Sequence, residues 1–426
     1  MATDQFKVVV ASIRRKIDLM PSSPSSFIKV PEYIRLVKKE CYEPLVVSIG
    51  PIYYKNTSLE HSQEIKLRDF IFFLNLISQF NYGLQEWYNI IKGMEEKTRA
   101  YYQNKIDLSS NEFIEMLMID AAFIISLFIF ISDEIPCENY DIRNKLGFFA
   151  KMNRDLFLVE NQLPFFVLND LFSTIFGAFY PLVSFMDLTY NYINSEFGLS
   201  SKKSVSTTLR GNKIDKEMNV EHLVDFLRIY YLPSKLREVG QNYNTTEHIK
   251  YPMTAKELKA AGVTFVAIDG DKQLDITYSK GKLKIPKLFI QDITEAIFRN
   301  IIFFEQSHYH LDSYFIDYMI FFDDLIDSPE DVQILVKSNI IEHWLGTDEQ
   351  VATVINSIVK HISIYSRNFY YNEVCHKLIA FASKKRNKWK AILRRNYFNH
   401  PWSITSVIYL VILLILTVLQ VYTGFM

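Results

Sequence analysis

The polar trio Glu160, Asn161 and Gln162 interrupts the apolar stretch RDLFLVENQLPFFVLNDLF, which runs from Arg154 to Phe172. A carboxylate beside two amides in an apolar wall could form a reaction centre with acid–base chemistry. The same side chains could instead satisfy backbone groups where one buried helix ends and another begins. Pro164 disfavours helical geometry at the residue before it and starts a new helix, and Glu160 has no evident catalytic partner close by in the sequence. The pattern therefore favours a structural joint formed by Glu160, Asn161, Gln162 and Pro164.

Two other groups have side chains that could bind a metal ion. His308 and His310 lie near Glu305, but residues two apart do not share a helix face, so a surface location is favoured. Asp269-Gly270-Asp271 suits a tight turn and lacks the remaining ligands of a calcium loop. The sequence predicts no metal site at either position.

A third acidic group precedes a predicted helix start at Ser328-Pro329. Asp323 and Asp327 are four residues apart and share a helix face, and Asp324 lies beside them, so a bound cation is one interpretation. A solvated acidic stripe is the favoured one.

Catalytic signatures are missing from the chain. We find no GxSxG, GxGxxG, GxxxxGK[ST], HExxH or EF-hand pattern, so we expect no enzymatic activity, no cofactor and no metal. Cys41, Cys137 and Cys375 are widely separated and are expected to be reduced. A net charge of −1 gives no basic footprint for nucleic acid.

The composition favours a mainly α fold. The 426 residues are 49% hydrophobic and 22% charged, and there are only 13 Gly and 13 Pro. A chain of this kind can bury a large core and favours long helices over a turn-rich β architecture. We therefore expect a large helical body with one small β-hairpin and one C-terminal transmembrane helix.

Periodicity places the main elements. Helical spacing begins at Glu60 and continues to Gly93, and Ser109–Ile131 starts with a cap and continues as an apolar core helix. Thr254–Phe265 is typical of a capped helix stopped by a glycine, and Leu274–Pro286 alternates around a Lys-Gly turn as a hairpin does. Val46–Pro51 is predicted to be a buried extended segment.

The C-terminal stretch from Ser403 to Met426 contains no charged residue. A helix of about 20 apolar residues crosses a hydrocarbon layer of roughly 30 Å, so this stretch is predicted to span a membrane once and to contact lipid. Trp402, Tyr409 and Tyr422 are the expected interface anchors.

A basic cluster precedes this predicted span. It consists of Lys384, Lys385, Arg386, Lys388, Lys390, Arg394 and Arg395. The positive-inside rule then places the N-terminal body in the cytosol, and we expect a single-pass protein of the plasma membrane. An extracellular body is the alternative, which glycosylation of the sequons at Asn56 or Asn244 would support.

These features divide the chain into five predicted regions. Residues 1–26 are an N-terminal lead-in and linker, 27–197 the first helical half, and 198–253 polar loops with one short helix. Residues 254–395 form the second helical half with the hairpin at 274–286, and 396–426 form the membrane anchor.

Several blocks of this chain resemble the plant membrane proteins of the domain-of-unknown-function 247 family. The resemblance is carried by LFLVENQLPFFVLNDLF and, in order, by VPEYIRLVKKECYEPLVVSIGPIYY, FIEMLMIDAAFII, TAKELKAAGVTF, LDITYSKGKLKIPKLFIQDITEAIFRNIIFFEQ, DDLIDSPEDVQIL and NYFNHPWS. It covers roughly Ile28 to the C-terminus.

The resemblance implies a plant protein with a mainly helical body, one C-terminal transmembrane helix and no known catalytic activity. In grasses, the best-understood members of this family are pollen-side self-incompatibility determinants that act with small secreted stigma proteins. We therefore expect a membrane-anchored recognition or signalling protein with a protein partner, for which a small secreted plant protein is one candidate. The alternative is a cytosol-facing, tail-anchored structural or trafficking adaptor.

Overall fold

A computed structural model describes residues 27, 29–102, 106–137, 149–197, 219–237, 252–269, 272–309, 312–360, 369–384 and 401–424. The fold is mainly helical with two small sheets. The helices are α1 Glu32–Arg35, α2 Glu60–Ser78, α3 Leu84–Ala100, α4 Ser110–Ser132, α5 Phe149–Leu156, α6 Phe165–Phe176, α7 Phe185–Phe197, α8 Leu223–Tyr231, α9 Ala255–Ala260, α10 Thr294–His308, α11 Tyr314–Leu325, α12 Pro329–Lys337, α13 Asp348–Ile358, α14 Asn372–Ala382 and α15 Pro401–Gly424. The strands are β1 Thr264–Ile268, β2 Thr277–Ser279, β3 Lys282–Pro286, β4 Leu288–Ile290 and β5 Ile341–His343.

The described residues belong to two compact units. The first comprises the described residues within 27–197, 219–229 and Ala296–Ser307, and the second comprises those within Tyr230–Glu295 and 308–424.

Helix α4 forms the centre of the first unit and packs against α2, α3, α6 and α7. Its start follows the predicted capping box, because Glu112 N donates to Ser109 Oγ at 3.3 Å and Ser109 N donates to Glu112 Oε2 at 2.8 Å. Phe128 stacks on Tyr192 with ring centroids 4.2 Å apart. Among the residues whose side chains the structure describes, α4 is long and apolar enough to cross a membrane by composition, and 78% of its most apolar stretch is buried. The described side chains of α15 form a shorter apolar stretch, Ile408–Val421. The prediction of a core helix is confirmed.

The helical pattern from Glu60 to Gly93 forms two helices rather than one. Helix α2 ends at Ser78, and Asn81 adopts a left-handed conformation with φ of 63° before α3 begins at Leu84. Asn tolerates this conformation better than most residues, which allows the chain to reverse there.

The predicted hairpin is present in the second unit. Strands β2 and β3 pair antiparallel through Lys280 and Gly281, whose φ angles of 48° and 79° are those of a tight two-residue hairpin turn. Strand β1 was not predicted. It pairs in parallel with the other side of β3, and β4 and β5 form a second, parallel two-stranded sheet.

The helix predicted within Thr254–Phe265 is present as α9. Thr254 caps it, and it ends at Ala260, just before Gly262, whose φ of 95° turns the chain towards β1, so the predicted glycine stop is confirmed. Thr264 and Phe265 belong to β1, where they pair with β3.

The acidic stripe predicted on α11 is not fully solvated. Asp323 and Asp324 are half-buried, because α11 packs against α13, and only Asp327 is exposed. Burial and the charge of Asp327 raise the pKa of Asp323 to about 6, and burial and the charge of Asp323 raise the pKa of Asp324 to about 7. Asp324 Oδ2 is buried and accepts no hydrogen bond from the described residues.

Because the pKa values of Asp323 and Asp324 are raised in the folded state, we expect the free energy of unfolding to fall as pH rises. Asp324 keeps its proton in the folded state up to about pH 7, whereas the unfolded chain releases it near the ordinary value of 3.8. The folded state therefore binds more protons between these values, and the free energy of unfolding decreases as pH rises from about 4 to about 7. Asp324→Asn removes this penalty and should stabilise the full chain at pH 8 by roughly 1–2 kcal/mol after discounting for solvent screening.

The measurement is urea unfolding of the detergent-solubilised full chain at pH 4 and pH 8. The gain should be present at pH 8 and vanish near pH 4. Asp292→Asn is the matched control, because Asp292 is exposed in the same unit and the same change there should have no effect beyond about 0.5 kcal/mol. Equal stability of Asp324→Asn and the unmodified chain at pH 8 would contradict the burial argument.

Candidate functional site

The trio Glu160, Asn161 and Gln162 lies between α5 and α6 in the first unit, and all three residues are buried. Asn161 N donates to Leu158 O at 2.9 Å and closes a turn there. Pro164 follows in an extended conformation with ψ of 133°, and α6 begins at the next residue. The trio therefore stands where one helix ends and the next begins.

Glu160 accepts hydrogen bonds at both carboxylate oxygens. Arg35 Nη2 contacts Oε1 at 2.7 Å and Oε2 at 2.6 Å. Val30 N donates to Oε1 at 2.7 Å and Tyr53 Oη donates to Oε2 at 2.8 Å. Both oxygens of this carboxylate are therefore committed to a guanidinium, a phenol and a backbone amide.

Glu160 favours the charged form of the Arg35 guanidinium and the neutral form of the Tyr53 phenol. Burial opposes the charge on Arg35, but the hydrogen bonds and the negative charge of Glu160 outweigh burial and raise the pKa of the guanidinium. Burial, followed by the charge of Glu160, raises the pKa of the Tyr53 phenol, so Tyr53 stays a donor. The group therefore acts as a buried ion pair with a neutral phenol on one side.

Asn161 uses its whole amide on the backbone. Its Oδ1 accepts from Ile49 N at 2.7 Å, and its Nδ2 donates to Val47 O at 3.0 Å and to Asp155 O at 2.9 Å. The side chain thereby replaces the hydrogen bonds that a neighbouring strand would make to residues 47–49.

Gln162 connects the end of α5 to the start of α8. Its Nε2 donates to Leu156 O at 2.6 Å and Leu158 O at 2.9 Å, and its Oε1 accepts from Leu223 N at 3.0 Å. The Gln162 side chain thus satisfies backbone carbonyls near the end of α5 and a backbone amide at the start of α8, which have no partner within their own helices. These contacts are what a structural joint requires.

Sequence reasoning missed Asp155, which supports the same segment. Its Oδ2 accepts from the amides of Leu45, Val46 and Val47 at 2.8, 2.7 and 3.0 Å, and its Oδ1 accepts from Arg154 Nη1 at 2.6 Å. Burial raises the pKa of Asp155, and the amides of Val46 and Val47 oppose that rise. No local pattern indicates this role, because the amides lie about 110 residues away in the sequence.

Sequence reasoning also missed the buried pair of Lys66 and Asp120. Lys66 Nζ lies 2.6 Å from Asp120 Oδ1 and donates to Ser48 O at 2.8 Å. Gly50 N donates to Asp120 Oδ2 at 2.8 Å. Burial raises the pKa of Asp120, while the charge of Lys66 opposes that rise. The two side chains are 0% and 1% exposed, so the pair is shielded from water.

Together these side chains hold the chain from Val30 to Gly50, which we call the clamped segment. From Tyr42 to Gly50 it has no regular secondary structure, yet most of its apolar side chains are buried. The clamp residues are Lys66, Asp120, Asp155, Glu160 and Asn161. Each of them bonds to the segment. The arrangement fixes the backbone of the segment.

Gly50 is the position in this segment that tolerates change least. It has φ of 72°, and an added Cβ would lie 2.5 Å from Gln162 O. Gly50→Ala should therefore cost about 2–3 kcal/mol of unfolding free energy, from backbone strain and displacement of the joint. Gly93→Ala is the matched control, because nothing lies within 4 Å of its added Cβ on helix α3, and it should stabilise by about 0.5–1 kcal/mol. Opposite signs in denaturant unfolding are the expected result, and two equal effects would contradict the close approach at Gly50.

The other predicted site residues lie apart from the clamp or outside the described residues. The surface location predicted around Glu305 is wrong for Glu305 itself, which is fully buried on α10, while His308 is half-buried. His310 and Asp271 lie outside the described residues. Among the described parts of the chain, no group of three His, Cys, Asp or Glu side chains could hold a metal ion.

The predicted membrane-proximal residues are described only in part. Lys384 is exposed after α14, while Lys385, Arg386, Lys388, Lys390, Arg394 and Arg395 lie outside the described residues. Tyr409 is 69% exposed on α15, and the side chains of Trp402 and Tyr422 are not described.

Comparison with known proteins gives a consistent assignment. Residues 27–416 match the family model DUF247, a plant protein of unknown function. The chain is 26% identical to UPF0481 protein At3g47200 of Arabidopsis thaliana, over 92% of this chain and 84% of the relative. It is 21% identical to the putative UPF0481 protein At3g02645 of the same plant, over 93% and 90%.

No solved structure is significantly similar to this chain. The family match extends from the first described residue, Phe27, through the clamp and both units into α15. The chain therefore belongs to the DUF247 family of plant proteins of unknown function.

Proposed function

We propose that this protein is a membrane-anchored recognition or signalling protein whose helical body binds a protein partner without catalysing a reaction. The observation that carries the proposal is the C-terminal helix α15, which has 24 residues and no charged side chain. At 1.5 Å per residue it is about 36 Å long, enough for a hydrocarbon layer of roughly 30 Å.

The surface of α15 supports membrane insertion. From Ile408 to Val421 the described apolar side chains are about half exposed or more, and Leu410 reaches 65%. A long, contiguous apolar surface of this kind is unfavourable in water and is stable in lipid. Membrane lipid is therefore the first partner that we propose.

The absence of a reaction centre at the clamp supports a binding role. Glu160 is committed to Arg35, Tyr53 and Val30, and Asn161 uses its amide on the backbone. The residues that carry the family resemblance thus support the fold, and a recognition protein needs a rigid body of this kind to present its surface loops.

Topology separates two versions of this proposal. The basic cluster before α15 places the body in the cytosol, where it would serve as a tail-anchored adaptor or signalling protein. A pollen-side self-incompatibility determinant that meets a secreted protein from another cell would need its body outside. Asn56 is exposed and lies in a sequon, so its glycosylation reports the side on which the body lies.

The experiment is expression of the full chain with sealed plant microsomes. Membrane anchoring predicts that the protein stays in the pellet after alkaline extraction, and release into the supernatant would contradict it. The cytosolic version predicts that protease digests the body from outside and that Asn56→Gln leaves the mass unchanged. A protected body, with a glycan that Asn56→Gln or Asn244→Gln removes, supports the self-incompatibility version instead.

A further inference from the structure

A cleft of about 500 Å³ opens on the first unit beside the clamped segment. Its walls include Phe27, Lys29, Ile52, Lys55, Asn56 and Tyr102. Sites for small molecules in proteins usually measure about 300–1,000 Å³ and combine an apolar lining with a few polar groups. This cleft has the size and the mixed lining of such a site.

The clamp holds the walls of the cleft in place. Tyr102 Oη donates to Gln162 O at 2.9 Å, so the aromatic wall is bonded to the joint. Lys29 precedes Val30, whose amide binds Glu160, and Pro51 follows Gly50, whose amide binds Asp120. A site whose backbone is fixed before binding loses little conformational entropy when a ligand enters.

One wall of the cleft is aromatic. The rings of Phe27 and Tyr102 lie 4.5 Å apart with an interplanar angle of 32°, and their backbones form an isolated parallel bridge. Ile52 adds an aliphatic side chain that is 44% exposed. Flat aromatic ligands pack well against walls of this kind, through offset or edge contacts between rings.

The polar rim is rich in donors. Lys29 is exposed and forms no ion pair with the described residues. Asn56 spends its Oδ1 on Ser58, while its Nδ2 donates no hydrogen bond within the described part of the chain. Lys55 lies 3.0 Å from Glu112, in a pair whose side chains are 59% and 41% exposed, and such exposed pairs exchange partners at little cost. Asp107 is the one acid among the described lining residues.

We propose that this cleft binds a small aromatic carboxylate, with the ring system against Phe27 and Tyr102 and the carboxylate at Lys29 and Asn56. Lys55 supplies the second cation when the ligand competes with Glu112. The proposal goes beyond membrane anchoring and protein recognition, and it requires Asn56 to carry no glycan, as in the cytosolic version of the body.

The test uses the full chain in zwitterionic lipid nanodiscs and the probe 6-fluoro-2-naphthoate, observed by ¹⁹F NMR. The matched neutral probe is 6-fluoro-2-naphthamide, and empty nanodiscs measure the partitioning of each probe into lipid. We expect saturable binding of the naphthoate to the protein. The naphthamide should bind about tenfold more weakly, because a charge-assisted contact to lysine is lost.

Two variants locate the site. Lys29→Gln with Lys55→Gln should weaken naphthoate binding about tenfold and leave naphthamide binding unchanged. Ile52→Trp should remove binding of both probes by filling the cleft, whereas Leu67→Trp should change neither, because Leu67 lies outside the cleft and is 47% exposed against 44% for Ile52. Unfolding midpoints equal to that of the unmodified chain show that each variant is folded.

Three outcomes would overturn the proposal. These are naphthoate binding no stronger than to empty nanodiscs, equal binding of the charged and neutral probes, and binding that persists in a folded Ile52→Trp variant. Alkaline extraction tests α15, which does not line the cleft, so a failure of this site and a failure of the membrane proposal can be told apart.

Discussion

Replacing Glu160 by Gln is expected to lower the free energy of unfolding of the full chain by about 3–5 kcal/mol. The change keeps the shape of the side chain and removes its charge, which leaves the buried guanidinium of Arg35 with only the longer contacts to Glu43 at 3.5 Å and Glu32 at 4.0 Å. It also weakens the acceptor for Val30 N and Tyr53 Oη. A buried charge that loses its closest partner is among the most destabilising single changes in a protein interior.

Glu43→Gln is the matched control for this prediction. Glu43 Oε1 lies 3.5 Å from the same guanidinium, but its side chain is 37% exposed, so solvent screens the pair. We expect a loss below about 1 kcal/mol. Urea unfolding of both variants in detergent measures the difference.

A second variant keeps the prediction testable if Glu160→Gln fails to fold. Arg35→Met combined with Glu160→Gln removes both charges, and it should be more stable than Glu160→Gln alone. If Glu160→Gln folds with unchanged stability and has lost binding to a partner, Glu160 is a binding residue and the structural role is contradicted.

Replacing Lys66 by Met is expected to cost a similar amount, about 3–5 kcal/mol. The ammonium neutralises Asp120 and donates to Ser48 O, so its removal leaves a buried carboxylate and a buried carbonyl unsatisfied. Asp120 would then take up a proton, because burial already raises its pKa and the opposing charge is gone. The loss should therefore be largest above neutral pH and smaller in acid.

The control for Lys66 lies two residues further along the same helix. Arg68 pairs with Glu64 at 2.6 Å, but the two side chains are 63% and 59% exposed, so Arg68→Met should cost less than about 1 kcal/mol. Lys66→Met with Asp120→Asn should recover part of the loss, since the buried charge is removed together with its partner. Equal losses for Lys66→Met and Arg68→Met would show that the buried pair does not hold the fold.

Elements that depend on short-range chemistry could be predicted from the sequence. Ser109 and Glu112 form a capping box three residues apart, and the Lys280-Gly281 turn fixes the hairpin by its own backbone preferences. The burial predicted for Val46–Pro51 is confirmed for residues 47–50, which are buried without forming a strand. In each case the residues that decide the conformation are close together in the chain.

The partners of the clamp could not be predicted, because they are far apart in the sequence. Glu160 meets Arg35 across 125 residues and Val30 across 130. Nothing in the sequence VENQLP indicates that Glu160 and Asn161 accept hydrogen bonds from backbone amides of the clamped segment. Strand β1 was missed for a related reason, since it is defined by its pairing with β3, which is a tertiary contact.

The half-burial of Asp323 and Asp324 illustrates a third limit of sequence patterns. Two adjacent aspartates before a capped helix are typical of a solvated surface, and only the packing of α13 on α11 reveals that they are partly enclosed. The central trio shows the opposite case. Glu160 looks like a candidate for catalysis in the sequence, and its neighbours in space assign it to holding the backbone.

Hydrogen exchange of the amides of residues 45–50 in the full chain, followed by mass spectrometry, tests most directly whether side chains clamp this segment. These amides have no strand partner, and those of Leu45, Val46, Val47, Ile49 and Gly50 donate to Asp155, Asn161 or Asp120. We expect these amides to exchange as slowly as those of core helix α4. In Lys66→Met, at a pH where the protein remains folded, we expect this protection to be lost. Exchange of residues 45–50 at the rate of an unstructured chain would contradict the claim that side chains clamp this segment.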